Sequence, residues 1–78
     1  GDPQNIAALA SLAQRLAQRG EWQRTASLLD RAIVLGGAND PAVLALRSKA
    51  ARAIGRREDA AHFAAALADL RPAALVRR

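Results

Sequence analysis

Displaced by 35 residues, this sequence falls on itself. Leu9 lands on Leu44, Gly20 on Gly55, Ala26 on Ala61, Leu28 on Phe63 and Leu35 on Leu70. A fixed period in the thirties marks a stacked array, in which one supersecondary unit recurs and each copy covers its neighbour. The chain has 78 residues, room for two such units. The copies are not identical: Asp2-Pro3 and Asp40-Pro41, both helix starts, lie 38 residues apart. The first helix of the first unit therefore begins about one turn earlier than its counterpart.

Each unit reads as two helices. Asp accepts from a free backbone N–H ahead of a helix, and Pro suits the first helical position, so Asp2-Pro3 and Asp40-Pro41 each predict a helix start. From Pro3 to Arg19 the apolar residues Ile6, Leu9, Leu12, Ala13, Leu16 and Ala17 recur at steps of three and four, which is one helical face. Gly20 ends that run. A second stripe runs from Trp22 through Ala26, Leu29, Ala32 and Ile33 to Leu35 and closes at Gly36-Gly37. A third runs from Leu44 through Ser48 and Ala51 to Ile54 and Gly55. The fourth begins near Arg57, carries Phe63, Leu67 and Leu70 among many Ala, and stops at Arg71-Pro72. Links of about two to five residues make consecutive helices antiparallel neighbours.

Composition agrees. Ala supplies 21 residues and Leu 11, whereas Val and Ile supply 3 each and Thr 1. Ala and Leu enter helices at little cost and β-branched residues favour strands, so an all-β module is excluded. An apolar fraction of 51% excludes a disordered tail. With no Cys there is no disulfide framework, thiol chemistry or cysteine metal site. No stretch reaches the roughly 18 apolar residues of a membrane span, and no signal peptide is expected. A bacterial source is expected, since heavy Arg and Ala usage accompanies GC-rich genomes; whether the chain is whole or a piece of a longer protein is left open. Its compartment, cytoplasmic or periplasmic, is left open.

At the level of particular residues the chain resembles the tetratricopeptide repeat family. That family's unit is a helix–turn–helix of about 34 residues. The first unit offers Leu9, Leu12, Ala13, Leu16, then Gly20-Glu21-Trp22, then Leu29 and Ala32. The second offers Leu44, Ser48, Ala51, then Gly55-Arg56-Arg57, then Ala60, Ala64, Leu67 and Pro72. Three positions depart from the pattern. Thr25 stands where the family places Ala, Gly37 where it places Pro, and Arg57 where it places an aromatic. The resemblance covers residues 6 to 72. It implies an all-α fold of two antiparallel helix hairpins stacked as a short right-handed solenoid. Repeat one covers about 3–37, repeat two about 40–72, and 73–78 is a C-terminal stub of the same single domain, 1–78.

The resemblance also implies a function, non-catalytic protein–protein interaction by an adaptor or assembly domain. The first helix of each unit would line a concave groove. By motif position that groove takes Gln14 and Gln18 with Ala7, Ala10, Ser11 and Ala17 from unit one. It takes Leu46, Lys49 and Arg52 with Ala42, Ala45 and Ala53 from unit two. Such a surface suits a peptide or helix with an acidic group. The family's carboxylate clamp needs Lys and Asn where this chain has Ala10 and Gln14, so chaperone C-termini are not the expected ligand. Trp22 is expected to pack the first helix pair.

Other chemistries find less in the residues. His62 is the single His, with Glu58 and Asp59 one turn back, and a metal needs three or four convergent ligands. Ser11, Ser27 and Ser48 have no matching base, and Gly36-Gly37 lacks the Lys-Ser/Thr of a phosphate loop. Neither an enzyme nor a cofactor is expected. A net charge of +5 keeps a basic helical nucleic-acid-binding domain as the alternative. The Arg residues, however, are spread over all four helices among acids, and no aromatic platform is available for bases. An accessory domain of a larger enzyme is a further alternative. The fourth helix is apolar nearly all round, which predicts cover on more than one side. Phe63, Leu67 and Leu70 are therefore the expected contacts of a homo-oligomer, unless further repeats cover them.

Overall fold

A computed structural model describes residues 3–70. The chain forms α1 (Pro3–Gln18), α2 (Trp22–Val34), α3 (Pro41–Ala53) and α4 (Arg57–Asp69), with a single 3-10 turn at Gly37–Asn39. The described residues form an all-α stack of four helices, as expected. α1 packs along α2 and α3 along α4, while α2 and α3 join the two hairpins and α1 reaches α3. The cap expected at Asp2, the stop at Arg71-Pro72 and the stub 73–78 lie outside the described residues. α1 has 16 residues and α3 has 13, the extra turn that the unequal Asp-Pro spacing implied.

The two hairpin turns are one structure used twice. Gly20 and Gly55 have φ of +79° and +81°, the left-handed conformation that a side chain strains. After α1 the amides of Gly20 and Glu21 donate to the carbonyls of Ala17 and Leu16, each at 2.9 Å. After α3 the amides of Gly55 and Arg56 donate to Arg52 and Ala51 at 3.1 and 2.8 Å. This is the Schellman pattern, and it satisfies the carbonyls that a helix end leaves free.

The link between hairpins departs from the expected brevity. It runs through residues 35–40 and contains the 3-10 turn. Gly37 is buried there, and a Cβ on it would stand 2.8 Å from the Ala32 carbonyl oxygen and 3.3 Å from Ile6 Cγ2. The link thus folds back over the end of α2 onto the start of α1, and the extra residues make that detour. Asp40 then caps α3, its Oδ1 accepting from the amides of Ala42 at 2.9 Å and Val43 at 3.4 Å, with Pro41 in the first turn.

The core lies between the hairpins. Ala13, Leu29, Ala32 and Val43 are wholly buried, and Ile6, Leu9, Ala10, Leu28, Ile33 and Leu46 pack around them. These residues come from α1, α2 and α3. Ala60 is the one apolar residue of α4 in the buried set. Phe63, Ala64 and Leu67 are half-buried, and Ala61, Ala65 and Ala68 are exposed. Among the described residues the fourth helix is the last of the stack and leaves one flank open. Among the described residues no helix is long and apolar enough to cross a membrane.

Candidate partner-binding cleft

The open flank is a cleft rather than a plane. α3 contributes Ala45, Ser48, Lys49 and Arg52, and α4 contributes Ala64, Leu67 and Ala68, around a volume of about 400 Å³. A second hollow, sharing Arg52 and Ala64, continues it past Ala61 to Arg57 at the start of α4. The floor is Ala with one Leu. The rim is Lys49, Arg52 and Arg57, all exposed. Among the described residues the ion pairs use Arg19, Arg24, Arg47 and Arg56, so these three cations have no carboxylate partner.

The 35-residue period shows what this cleft is equivalent to. Subtracting it from Ala45, Ser48, Ala64, Leu67 and Ala68 gives Ala10, Ala13, Leu29, Ala32 and Ile33. Those five residues belong to the core, and Val43 and Leu46 of α3 close over them. Among the described residues one hairpin has its groove filled by a helix, and the other presents the same groove open.

Of the residues that the sequence singled out for partner binding, Lys49 and Arg52 come together at this cleft. Gln14 and Gln18 are exposed on α1 and do not line it. Leu46 is half-buried against the core, at the joint between hairpins. Trp22 is half-buried at the start of α2, and the Lys49 ammonium stands 6.0 Å from its ring centre, at the outer reach of a cation–π contact. Of the three residues expected to self-associate, only Leu67 lines the cleft. Phe63 lies under the Arg47 guanidinium, 4.8 Å from the ring centre, and Leu70 sits half-buried at the end of α4. Arg57, Ala64 and Ala68 were given no partner-binding role by the sequence reading. Applying the period to Trp22, Leu29 and Ile33 would have found them.

Arg47 was not singled out either, and it links three helices. Its Nε donates to Asp30 Oδ1 on α2 at 2.8 Å, and its guanidinium covers Phe63 on α4. At the other end of the molecule Leu12 and Leu16 of α1, with Leu28 of α2, border a shallower hollow of about 440 Å³. His62 is exposed, edge-on to Phe63 at 5.2 Å. Among the described residues no three His, Cys, Asp or Glu side chains gather as a metal set.

No family model, curated protein or solved structure matches this chain.

Proposed function

We propose that this chain is a non-catalytic protein-binding module of the tetratricopeptide-like kind, and that the α3/α4 cleft receives the partner. A single observation carries the reading: the same groove, one period earlier, is occupied by a helix of this chain. A surface that buries Leu29, Ala32 and Ile33 under Val43 and Leu46 in one copy is built to be covered. Its open copy leaves Ala68 exposed and Ala64 and Leu67 only half-buried, and apolar surface of this kind gains roughly 25 cal/mol per Å² when covered.

A displayed library of helical peptides, selected on the whole chain, tests this. Binders are expected that lose affinity at least tenfold on Leu67→Glu while the far-ultraviolet circular dichroism of the variant is unchanged. A selection that yields no Leu67-dependent binder overturns the proposal. A random DNA duplex serves as the control. Duplex binding that falls steeply with salt would transfer the function to nucleic acid.

A further inference from the structure

The open cleft is not a plain copy of the filled one, and the differences share one sign. Three rim positions of the filled groove are neutral: Gln14, Ala17 and Trp22. One period later the same positions are Lys49, Arg52 and Arg57. The one cross-hairpin ion pair of the filled groove changes as well. Asp30, which holds Arg47 of the covering helix, becomes Ala65. The open groove has therefore gained three cations and lost its carboxylate.

Resting on the protein-binding reading above, we infer that the occupant is an acidic amphipathic helix of a partner protein. The helix that fills the first groove supplies its pattern. Val43 and Leu46 insert as the first and fourth positions, Arg47 is the fifth, Lys49 the seventh and Ala50, wholly buried, the eighth. Lys49 lies by Trp22, and the counterpart of Trp22 is Arg57, so the seventh position of the occupant is acidic. The fifth faces Ala65 rather than a carboxylate, so it is apolar. The first, fourth and eighth remain apolar, with the eighth small.

Neither α1 nor the segment 71–78 matches this pattern. In α1 the corresponding positions are Ala8, Ser11, Leu12, Gln14 and Arg15. A second copy stacked head to tail would bring no acid, no bulky first or fourth residue, and an Arg where Ala50 is wholly buried. Residues 71–78 carry Arg71, Arg77 and Arg78 and no acid, so their charge opposes the rim.

The probe is a lactam-bridged peptide with the sequence of residues 40–53 carrying Arg47→Leu and Lys49→Glu. Its control carries Arg47→Leu alone. Both are labelled and titrated with the whole chain at about 50 mM salt, followed by anisotropy. The acidic peptide is expected to bind at least about fivefold tighter, since each exposed ion pair contributes up to about that factor. Arg57→Gln in the protein should shrink that advantage, weakening the acidic peptide and tightening the control, whose Lys49 would otherwise face a like charge. Leu67→Glu should weaken both peptides. Should that variant unfold, Ala68→Trp, which fills the cleft from an exposed position, takes its place. A control that binds as tightly as the acidic peptide overturns the acidic assignment and leaves the protein-binding reading standing. If neither peptide binds at millimolar concentration, both fall. A micromolar dimer that Ala68→Trp dissociates would make a second copy the occupant and overturn the inference.

Discussion

Ser48 stands in the second hairpin where Ala13 stands in the first, and it carries the hydroxyl that Thr25 supplies there. Ser48 Oγ donates to the carbonyl of Ala60 at 3.1 Å, from α3 to α4. Thr25 Oγ1 approaches the carbonyl of Ala13 at 3.4 Å, from α2 to α1, while its shorter contact, at 2.8 Å, is with the carbonyl of Glu21, the residue just ahead of α2. Ala13 and Ser48, and likewise Thr25 and Ala60, are one period apart. Each hairpin thus places one small hydroxyl residue and one Ala at its helix crossing, with the donor on opposite helices. Two Ala would leave the hydroxyl out, and two larger residues would push the helices apart.

Ser48→Ala removes the donor without enlarging the residue, and a buried hydrogen bond of this kind contributes about 1 kcal/mol. The expected loss of stability in urea unfolding is of that size. Thr25→Ser, which keeps the bond to Glu21 and loses only a methyl group, should cost about the same through a small cavity. A Ser48→Ala protein as stable as the wild type would show that the contact between α3 and α4 does not depend on this bond.

The Asp30–Arg47 pair should respond unequally to removal of its two members. The Arg47 side chain is 8% exposed and that of Asp30 56%, and Arg47 Nη1 has no hydrogen-bond partner among the described residues. Asp30→Ala leaves a buried cation unmatched. It should cost about 1–2 kcal/mol, below the figure for a fully enclosed pair because water reaches Asp30. Arg47→Met removes the buried charge altogether and should cost less than Asp30→Ala. Thermal unfolding of the two variants gives the order, and the reverse order would refute this account.

Glycine at 37 is required by space and glycine at 20 by backbone angle, and these differ in severity. A Cβ at Gly37 meets backbone atoms of Ala32 at 2.8 and 3.2 Å, which cannot move without shifting the end of α2. A Cβ at Gly20 meets nothing within 4 Å, so its replacement costs only the left-handed strain of about 1–2 kcal/mol. Gly37→Ala should lower Tm more than Gly20→Ala. Equal losses would mean that the link relaxes away from α2.

Loss of the Asp40 cap should be felt locally. Asp40→Ala frees the amides of Ala42 and Val43, at a cost of about 1 kcal/mol. Hydrogen exchange at those two amides should accelerate while that of Leu29 and Ala32 in the core changes by no more than the global loss of stability. Uniform acceleration throughout the chain would show that α3 cannot fray by itself.

Much of the architecture was legible because it rests on interactions close in sequence. The turn at Gly20-Glu21 repeats at Gly55-Arg56, Asp40-Pro41 opens a helix, and the steps of three and four give the stripes. The candidate site was only half legible. Lys49 and Arg52 share a helical face, so spacing found them. Arg57 and Leu67 lie on another helix, and Leu46, on the same helix as Lys49, packs half-buried against the core. A face of α3 cannot be assigned to groove or core until the position of α2 is known.

The amino-acid sequence alone determined the helix boundaries from the end of α1 to the start of α4, and the 35-residue period. Hydrogen bonds within a helix, caps and left-handed glycines act over a few residues, and the period is written in the order of the chain. Only the tertiary structure decided which copy of the groove is filled. It also decided that Arg47 joins Asp30 to Phe63, and that three unpaired cations rim the open end. Those facts depend on contacts between residues a dozen or more apart, whose mutual distance is set by how whole helices pack.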